Sequence, residues 1–258
     1  MSTAAATNAI APLDLPYVSE QEDILWALER HAPRYNEWLL SRALPHLGEH
    51  VLEIGAGIGT FTLPLAAQGI RVSALEPDEA LVSILEKRTT HLPGVEIVKS
   101  DIEKLEPDRL KASVDSIICF NVLEHVADDK AALSTMARCL KTSGQLMLIA
   151  PAHRLLFGAA DEAVDHFRRY QAPALSHLLT EAGFAVGQLR YVNPMGAAGW
   201  LVSSCLLRRR TLSASSLKLY ERLVPLLRRF DGLPLPVGLS LWARAAKLHP
   251  SVKAVDDY

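Results

Sequence analysis

From residue 50 onward, short apolar runs alternate with segments whose apolar residues recur every three or four positions. The runs predict strands near 50–54, 71–76, 95–98, 114–120 and 144–150, and the longer spacing predicts helices near 59–68, 78–90 and 129–141. Val51, Leu52 and Ile54 have the continuous apolar character of a parallel strand covered on both faces. Ahead of them, Ile24, Leu25, Leu28, Trp38, Leu39, Leu40, Ala43 and Leu44 repeat at helical spacing with a break at Ala32-Pro33, so two helices precede the first strand. Pro173 opens and Gly183 closes a further helix over 172–182, and Phe184 to Val192 and Leu239 to Leu248 read as two more strands. Alternation of this kind predicts an α/β fold, with a doubly wound sheet of seven strands between layers of helices.

The pattern divides the chain into a disordered tail (1–19) and a single domain (20–258). Within the domain, 20–46 form helices, 47–193 a nucleotide-binding core, 194–236 an insertion and 237–250 the last strand. The insertion carries Trp200-Leu201-Val202, the run Arg208-Arg209-Arg210, and an apolar-basic stretch from Leu223 to Phe230 that includes Arg228 and Arg229. It reads as helices packed on the core with solvated arginines. The alternatives are a substrate lid or a basic amphipathic surface touching a membrane or an anionic substrate.

Composition narrows the class. The 258 residues are 49% hydrophobic and 22% charged, which suits one globular domain with a filled core. Lys+Arg at 27 against Asp+Glu at 29 gives no global support for nucleic-acid binding. Cys119, Cys139 and Cys205 are widely spaced and form neither a disulfide framework nor a zinc pattern, which fits a reducing, cytoplasmic setting. Met1 to Asn8 lack the basic start and apolar core of a signal peptide, and Val192 to Leu207 is too short and interrupted to span a membrane.

The first strand runs into Glu53-Ile54-Gly55-Ala56-Gly57-Ile58-Gly59. Glycines here permit a tight turn and close approach of a ligand to the backbone, and the helix that follows completes a nucleotide-type edge. In the dinucleotide fingerprint the third glycine falls one residue later, where this chain has Thr60, and Glu53 would repel a pyrophosphate. A carboxylate at 53 suits a ligand with a cationic amino group. The segment resembles the first motif of class I S-adenosylmethionine (SAM) methyltransferases, E/D-x-G-x-G-x-G, and the resemblance extends over roughly residues 46–192. It implies a Rossmann-like sheet closed by an antiparallel edge strand, and SAM as cofactor with S-adenosylhomocysteine as product. Glu76 ends the second strand about twenty residues after the glycine turn, where a carboxylate accepts from ribose hydroxyls. The resemblance gives Asp101 to the adenine amino group, Ile102 to the adenine ring, Asn121 to the methionine side of SAM, and Arg34 to its carboxylate.

Transfer to a hydroxyl or ammonium requires loss of a proton, so a base of near-neutral pKa is expected at the carboxyl edge of the sheet. The candidates are His166 first, then His125 and His153. His166 lies in Asp165-His166-Phe167-Arg168-Arg169-Tyr170, within a long connection that resembles the active-site loop of small-molecule O-methyltransferases, including those of ubiquinone biosynthesis. Tyr35, Arg168, Arg169 and Tyr170 are candidate acceptor contacts. One of the arginines could equally pair with Asp161, Glu162 or Asp165 and only fix the loop. No metal is expected, since Asp128-Asp129 at a helix start reads as capping. The expectation is O-methylation of a small molecule or a glycan-type or secondary-metabolite intermediate, with N- or C-methylation open. The rivals are an NAD-linked oxidoreductase, which Glu53 and the early third glycine oppose, and a SAM-binding partner subunit without catalysis. Nothing in the sequence sets the oligomeric state.

Overall fold

The computed structural model describes residues 20–106, 110–210, 214–230 and 235–249. The expected tail 1–19 lies outside them, as do parts of the insertion and residue 250, the last of the 237–250 segment. The elements are α1 (Glu20–His31), α2 (Pro33–Ala43), β1 (His50–Ile54), α3 (Thr62–Ala67), β2 (Arg71–Leu75), α4 (Glu79–Thr89), β3 (Val95–Val98) and β4 (Val114–Phe120). They continue with α5 (Asp129–Cys139), β5 (Leu140–Pro151), α6 (Ala159–Ala163), α7 (Ala172–Glu181), β6 (Phe184–Val192), α8 (Pro194–Trp200), α9 (Ala214–Phe230) and β7 (Ser240–Lys247).

The seven strands form one sheet in the order β3-β2-β1-β4-β5-β7-β6. The first five are parallel, and β7 runs antiparallel between β5 and β6, so an antiparallel pair forms that edge. The order reverses between β1 and β4, and ligands of doubly wound sheets sit beside such a switch point, at the carboxyl ends of the strands.

Strand alternation explains how the core divides. Leu52, Ile54, Ile117, Cys119, Leu146 and Leu148 point to one face and pack with Leu133 and Met136 of α5 and Leu175 and Leu179 of α7. Val51, Val72, Ile118, Met147 and Ile149 point to the other and pack with Trp38, Leu39 and Ala43 of α2 and with Trp242.

Most of the insertion's described residues are helical. α8 continues as a π-helical stretch over Leu201–Leu206, and α9 lies against the leading helices. Tyr220 of α9 meets the Tyr35 ring edge-on at 5.6 Å. Glu221 accepts the backbone N–H groups of Arg34 (2.7 Å) and Tyr35 (3.3 Å). Those donors lie in the first turn of α2 and have no partner within the helix, so Glu221 caps α2 from a distant part of the chain.

Candidate active site

Four parallel strands end side by side, and each delivers one predicted residue. Gly55 and Ala56 donate to Leu75 O at 2.9 and 3.0 Å, tying the glycine turn to the end of β2. Gly55, Gly57 and Gly59 have φ of 70°, 55° and 91°, the left-handed region that favours glycine. A Cβ on Gly55 would lie 2.5 Å from Val122 Cγ2, so the Val122 side chain fills the space a side chain at 55 would need. Beyond the glycines, α1 closes the turn. Leu25 lies 3.2 Å from where a Gly57 Cβ would stand, Thr60 Oγ1 donates to Glu29 (3.0 Å), and Arg88 bridges Glu29 (2.6 Å) and Ile58 O (2.6 Å). Neither Glu29 nor Arg88 belongs to the glycine motif, and only the docking of α1 reveals their part.

Glu53 is buried, and Thr62 Oγ1 donates to it at 2.5 Å. Burial pushes its carboxyl up to about 8, with the neighbouring Glu76 adding to the shift and the Thr62 hydrogen bond opposing it. Glu76 is likewise raised by burial, although its oxygens accept from Gly57 N (2.8 Å) and Asp78 N (3.0 Å). Two buried acids at one ligand edge, with no cation near either among the described residues, suit a cationic ligand that supplies the missing charge. Asp101 is partly exposed and accepts from Glu103 N at 3.0 Å, and Ile102 is buried in the core. Asn121 is exposed with φ 54°, and its N–H donates to Ile149 O at 2.8 Å. Positive φ at Asn121, His153, Asp165 and Asn193 places strained non-glycine backbone after β4, β5 and β6 and in the loop between β5 and α7. Arg34 is turned elsewhere: its side chain is largely exposed and its Nε lies 4.0 Å from Glu221.

The acids imply a pH dependence with a definite sign. An acid whose folded pKa is raised keeps its proton in the folded state while the unfolded chain ionises. Stability therefore falls as pH rises from the ordinary carboxyl value of 4.5 toward about 8, and the penalty is complete above that. Glu53→Gln should raise the melting temperature of the ligand-free protein at pH 8 more than at pH 5, as read by differential scanning calorimetry. The same variant should lose SAM affinity.

The second half of the site is the connection from β5 to α7. Phe167 N donates to Glu124 O (2.9 Å), and Tyr170 N and His153 N complete a short bridge to the end of β5. This fold of the loop sets His166 against the segment after β4. The His166 and His125 rings meet edge-on at 4.6 Å. His166 Nδ1 lies 2.7 Å from Asp161 Oδ1, and its Nε2 lies 3.8 Å from Glu124 Oε1. Asp161 also accepts from Arg169 Nε (2.9 Å) and Gly158 N (2.9 Å). Burial pushes the Asp161 carboxyl up, but the hydrogen bond from His166 and the Arg169 charge outweigh it and hold it below the usual value. Glu124 is fully buried, neither of its carboxyl oxygens has a hydrogen-bond partner, and burial pushes it up to about 8. His125 is driven down to about 4 by burial and by its neighbour His166. Glu124, His125 and His166 bring three ligand-type atoms within 4.8 Å of one another, and Asp161 holds one nitrogen of His166.

The other loop residues are occupied within the protein. Arg168 pairs with Asp129 (2.6 Å) and donates to Ala127 O (2.8 Å). Arg169 is buried between Asp161, Ala152 O and the Trp200 ring, which lies 4.7 Å from the guanidinium. Tyr170 OH donates to Asp129 (2.9 Å) or Leu123 O (3.2 Å). Arg169 makes one of the loop-fixing pairs the sequence offers, with Asp161, whereas Arg168 pairs with Asp129, which was not among them. His153 stacks on Tyr191 at 4.5 Å, and Tyr35, whose phenol burial and Glu124 push up to about 12, packs on Tyr220 and Trp38. Sequence reasoning named Asp161 only as a candidate arginine partner, not as the partner of His166, and gave Glu124 no role. The signals for them were an acid five residues before the favoured histidine and an acid closing the apolar run Val122-Leu123. A cleft of ≈ 880 Å³ lies on the outer side of the loop, lined by Arg154, Phe157, Phe167, Arg168 and His177, and neither Glu53 nor Glu76 borders it.

A doubly wound sheet with an acid-glycine turn, acidic strand ends and an antiparallel closing pair defines the Rossmann-like class that binds SAM. The chain belongs to the methyltransferase family: a methyltransferase domain model matches residues 28–189. It is 34% identical over 185 residues to a probable S-adenosylmethionine-dependent methyltransferase of Mycolicibacterium smegmatis, covering 69% of this chain and 68% of that one. It is 30% identical over 130 residues to a ubiquinone biosynthesis O-methyltransferase of Rickettsia akari, covering 47% of this chain and 49% of that protein. The match thus spans about half the length of that relative. Among solved structures, phosphoethanolamine N-methyltransferase 2 of Haemonchus contortus superposes with a TM-score of 0.63 at 16% identity, over 91% of this chain and 62% of that one. The [4+2]-cyclase SpnF superposes with a TM-score of 0.58 at 18% identity, over 84% and 80%. Likeness at this level carries the fold and leaves the reaction to the site.

Proposed function

We propose that this protein transfers a methyl group from SAM to a hydroxyl oxygen of a small-molecule or glycan-type acceptor, with His166 as general base. The observation that carries the reading is the 2.7 Å contact between His166 Nδ1 and buried Asp161, which leaves Nε2 as the free nitrogen. The cofactor fits the residues present. Glu53 faces its amino group, Glu76 its ribose, Asp101 and Ile102 its adenine, and Asn121 its methionine side. Bound SAM supplies a methyl on a sulfonium whose leaving thioether departs neutral.

Asp161 fixes the tautomer of His166 with the proton on Nδ1, so Nε2 accepts the proton of the acceptor hydroxyl. Arg169 balances the Asp161 charge. Glu124, pushed up to about 8 by burial, keeps its proton near neutrality and so adds no second negative charge beside Nε2. Tyr35 and Tyr220 exclude water from the N-terminal side. A similar chain named as a ubiquinone biosynthesis O-methyltransferase supports oxygen as the acceptor atom. Labelled SAM incubated with matched panels of phenols, aliphatic alcohols and amines tests the reading. Label should pass to hydroxyl acceptors. Transfer confined to amines or carbon would overturn it, and SAM binding without turnover across all panels would favour a non-catalytic subunit.

A further inference from the structure

Charge is distributed unevenly along this chain. Residues 194–230 hold seven basic side chains (Arg208, Arg209, Arg210, Lys218, Arg222, Arg228 and Arg229) and one acid, Glu221, giving a net charge of +6. With 27 basic and 29 acidic residues in all, the rest of the protein holds 20 and 28, a net of −8. The single acid of the segment is turned inward onto the start of α2.

The same segment exposes apolar surface that no described element covers. On the π-helical stretch and the turn after it, Val202 is 51% exposed, Leu206 70% and Leu207 58%, and Arg208, Arg209 and Arg210 follow directly, all exposed. The inner side of this stretch is bonded to the catalytic loop. Ser204 Oγ accepts from Ala160 N (2.9 Å), Trp200 Nε1 donates to Leu156 O (2.9 Å), and Arg208 lies 3.7 Å from Glu162. Leu155, in the loop itself, is 91% exposed. The outer face of α9 repeats the combination, with Leu219, Leu223 and Leu226 exposed beside Lys218, Arg222 and Arg229. No described helix is long and apolar enough to cross a membrane.

We propose that the face formed by Val202, Leu206, Leu207 and Arg208 to Arg210 docks on an anionic lipid surface. Leucines followed by an uninterrupted run of arginines match the two layers of a bilayer surface: apolar side chains enter the acyl boundary and guanidinium groups meet the lipid phosphates. Charge complementarity selects this occupant. A second copy of a chain that is acidic elsewhere would bring +6 against +6 at a symmetric contact on this face. Because the face is bonded to the loop that carries Asp161 and His166, docking sets the acceptor site at the bilayer surface, where an acceptor with a lipid tail is held. The docking surface itself does not depend on which atom is methylated.

The test is flotation of the full chain with phosphatidylcholine vesicles and with vesicles partly substituted by phosphatidylglycerol. The protein should float with the anionic vesicles and not with the neutral ones, and added salt should release it. Each arginine near an anionic surface is worth roughly a factor of five in binding, so Arg209→Glu/Arg210→Glu should weaken it at least about tenfold. Leu206→Glu/Leu207→Glu should weaken it comparably. Both variants should keep the wild-type melting temperature and its rise with SAM, which shows that they fold. Absence of binding to anionic vesicles would overturn the proposal, as would wild-type binding by either variant. So would a concentration-dependent dimer in sedimentation velocity that the same substitutions dissociate, since the face would then join two copies.

Discussion

His166→Ala is expected to lower turnover by about 10²- to 10⁴-fold, the usual contribution of a positioned general base. SAM affinity should stay within a factor of about two, because no described contact joins His166 to the glycine turn or to the acidic strand ends. The residual activity should no longer respond to pH through a histidine, and should recover in part as the medium is made more alkaline and the acceptor hydroxyl ionises unaided. His125→Ala separates the two adjacent imidazoles: it removes a ring held neutral by burial, already down at about 4, and so unsuited to taking a proton near neutrality. Single-turnover measurements on both variants, with SAM binding followed by calorimetry, check the assignment. Equal losses in the two variants, or an unchanged rate in His166→Ala, would remove His166 from the role of base.

Asp161→Ala is expected to unfold the protein at markedly lower temperature. Asp161 is completely buried and takes hydrogen bonds from His166, Arg169 and Gly158, and Arg169 is itself 4% exposed. Truncating one partner of a buried pair leaves the other charge without compensation, which costs about 3–5 kcal/mol, or on the order of 10 °C in melting temperature for a chain of this size. Asp161→Asn keeps an acceptor for Arg169 and should lose less. Replacing both charges in Asp161→Ala/Arg169→Met should recover much of the loss, because it removes the stranded guanidinium. The pH dependence has a fixed sign. The folded pKa of Asp161 lies below the ordinary aspartate value of 3.8, so its contribution is present above that value and is lost as pH falls through the folded pKa. The deficit of the alanine variant relative to wild type should therefore shrink in acid. Calorimetric scans from neutral pH downward measure this, and a deficit independent of pH would show that the carboxylate charge is not what holds the loop.

The strands were legible because parallel β-structure covered on both faces demands continuous apolar runs, and few other contexts in a charged chain tolerate them. β1, β3 and β4 begin and end where the pattern places them. β5 is longer than its apolar run, since Leu140 pairs with Val114 ahead of an irregularity in register that polar residues occupy without cost at the exposed end. The glycine turn and the acids on strand ends were legible for a related reason: a turn of fixed length after each strand puts those residues at one edge whatever the rest of the chain does. The loop was less so. Arg168 and Arg169 are adjacent and identical in type, yet one reaches Asp129 and the other Asp161, and sequence spacing contains nothing that assigns them.

Local pattern thus determined by itself the α/β class, the strand and helix order, and the acid-glycine turn with Glu76, Asp101 and Asn121 on successive strand ends, because period and turn chemistry are properties of neighbouring residues. Tertiary structure alone decided that β7 lies between β5 and β6, that Glu221 caps α2, that α1 closes over the glycine turn, and that Asp161, His166 and Glu124 meet in one buried cluster. The physical reason is burial. The partners of a buried charge are chosen by which elements pack against it, and packing joins residues that the chain holds far apart.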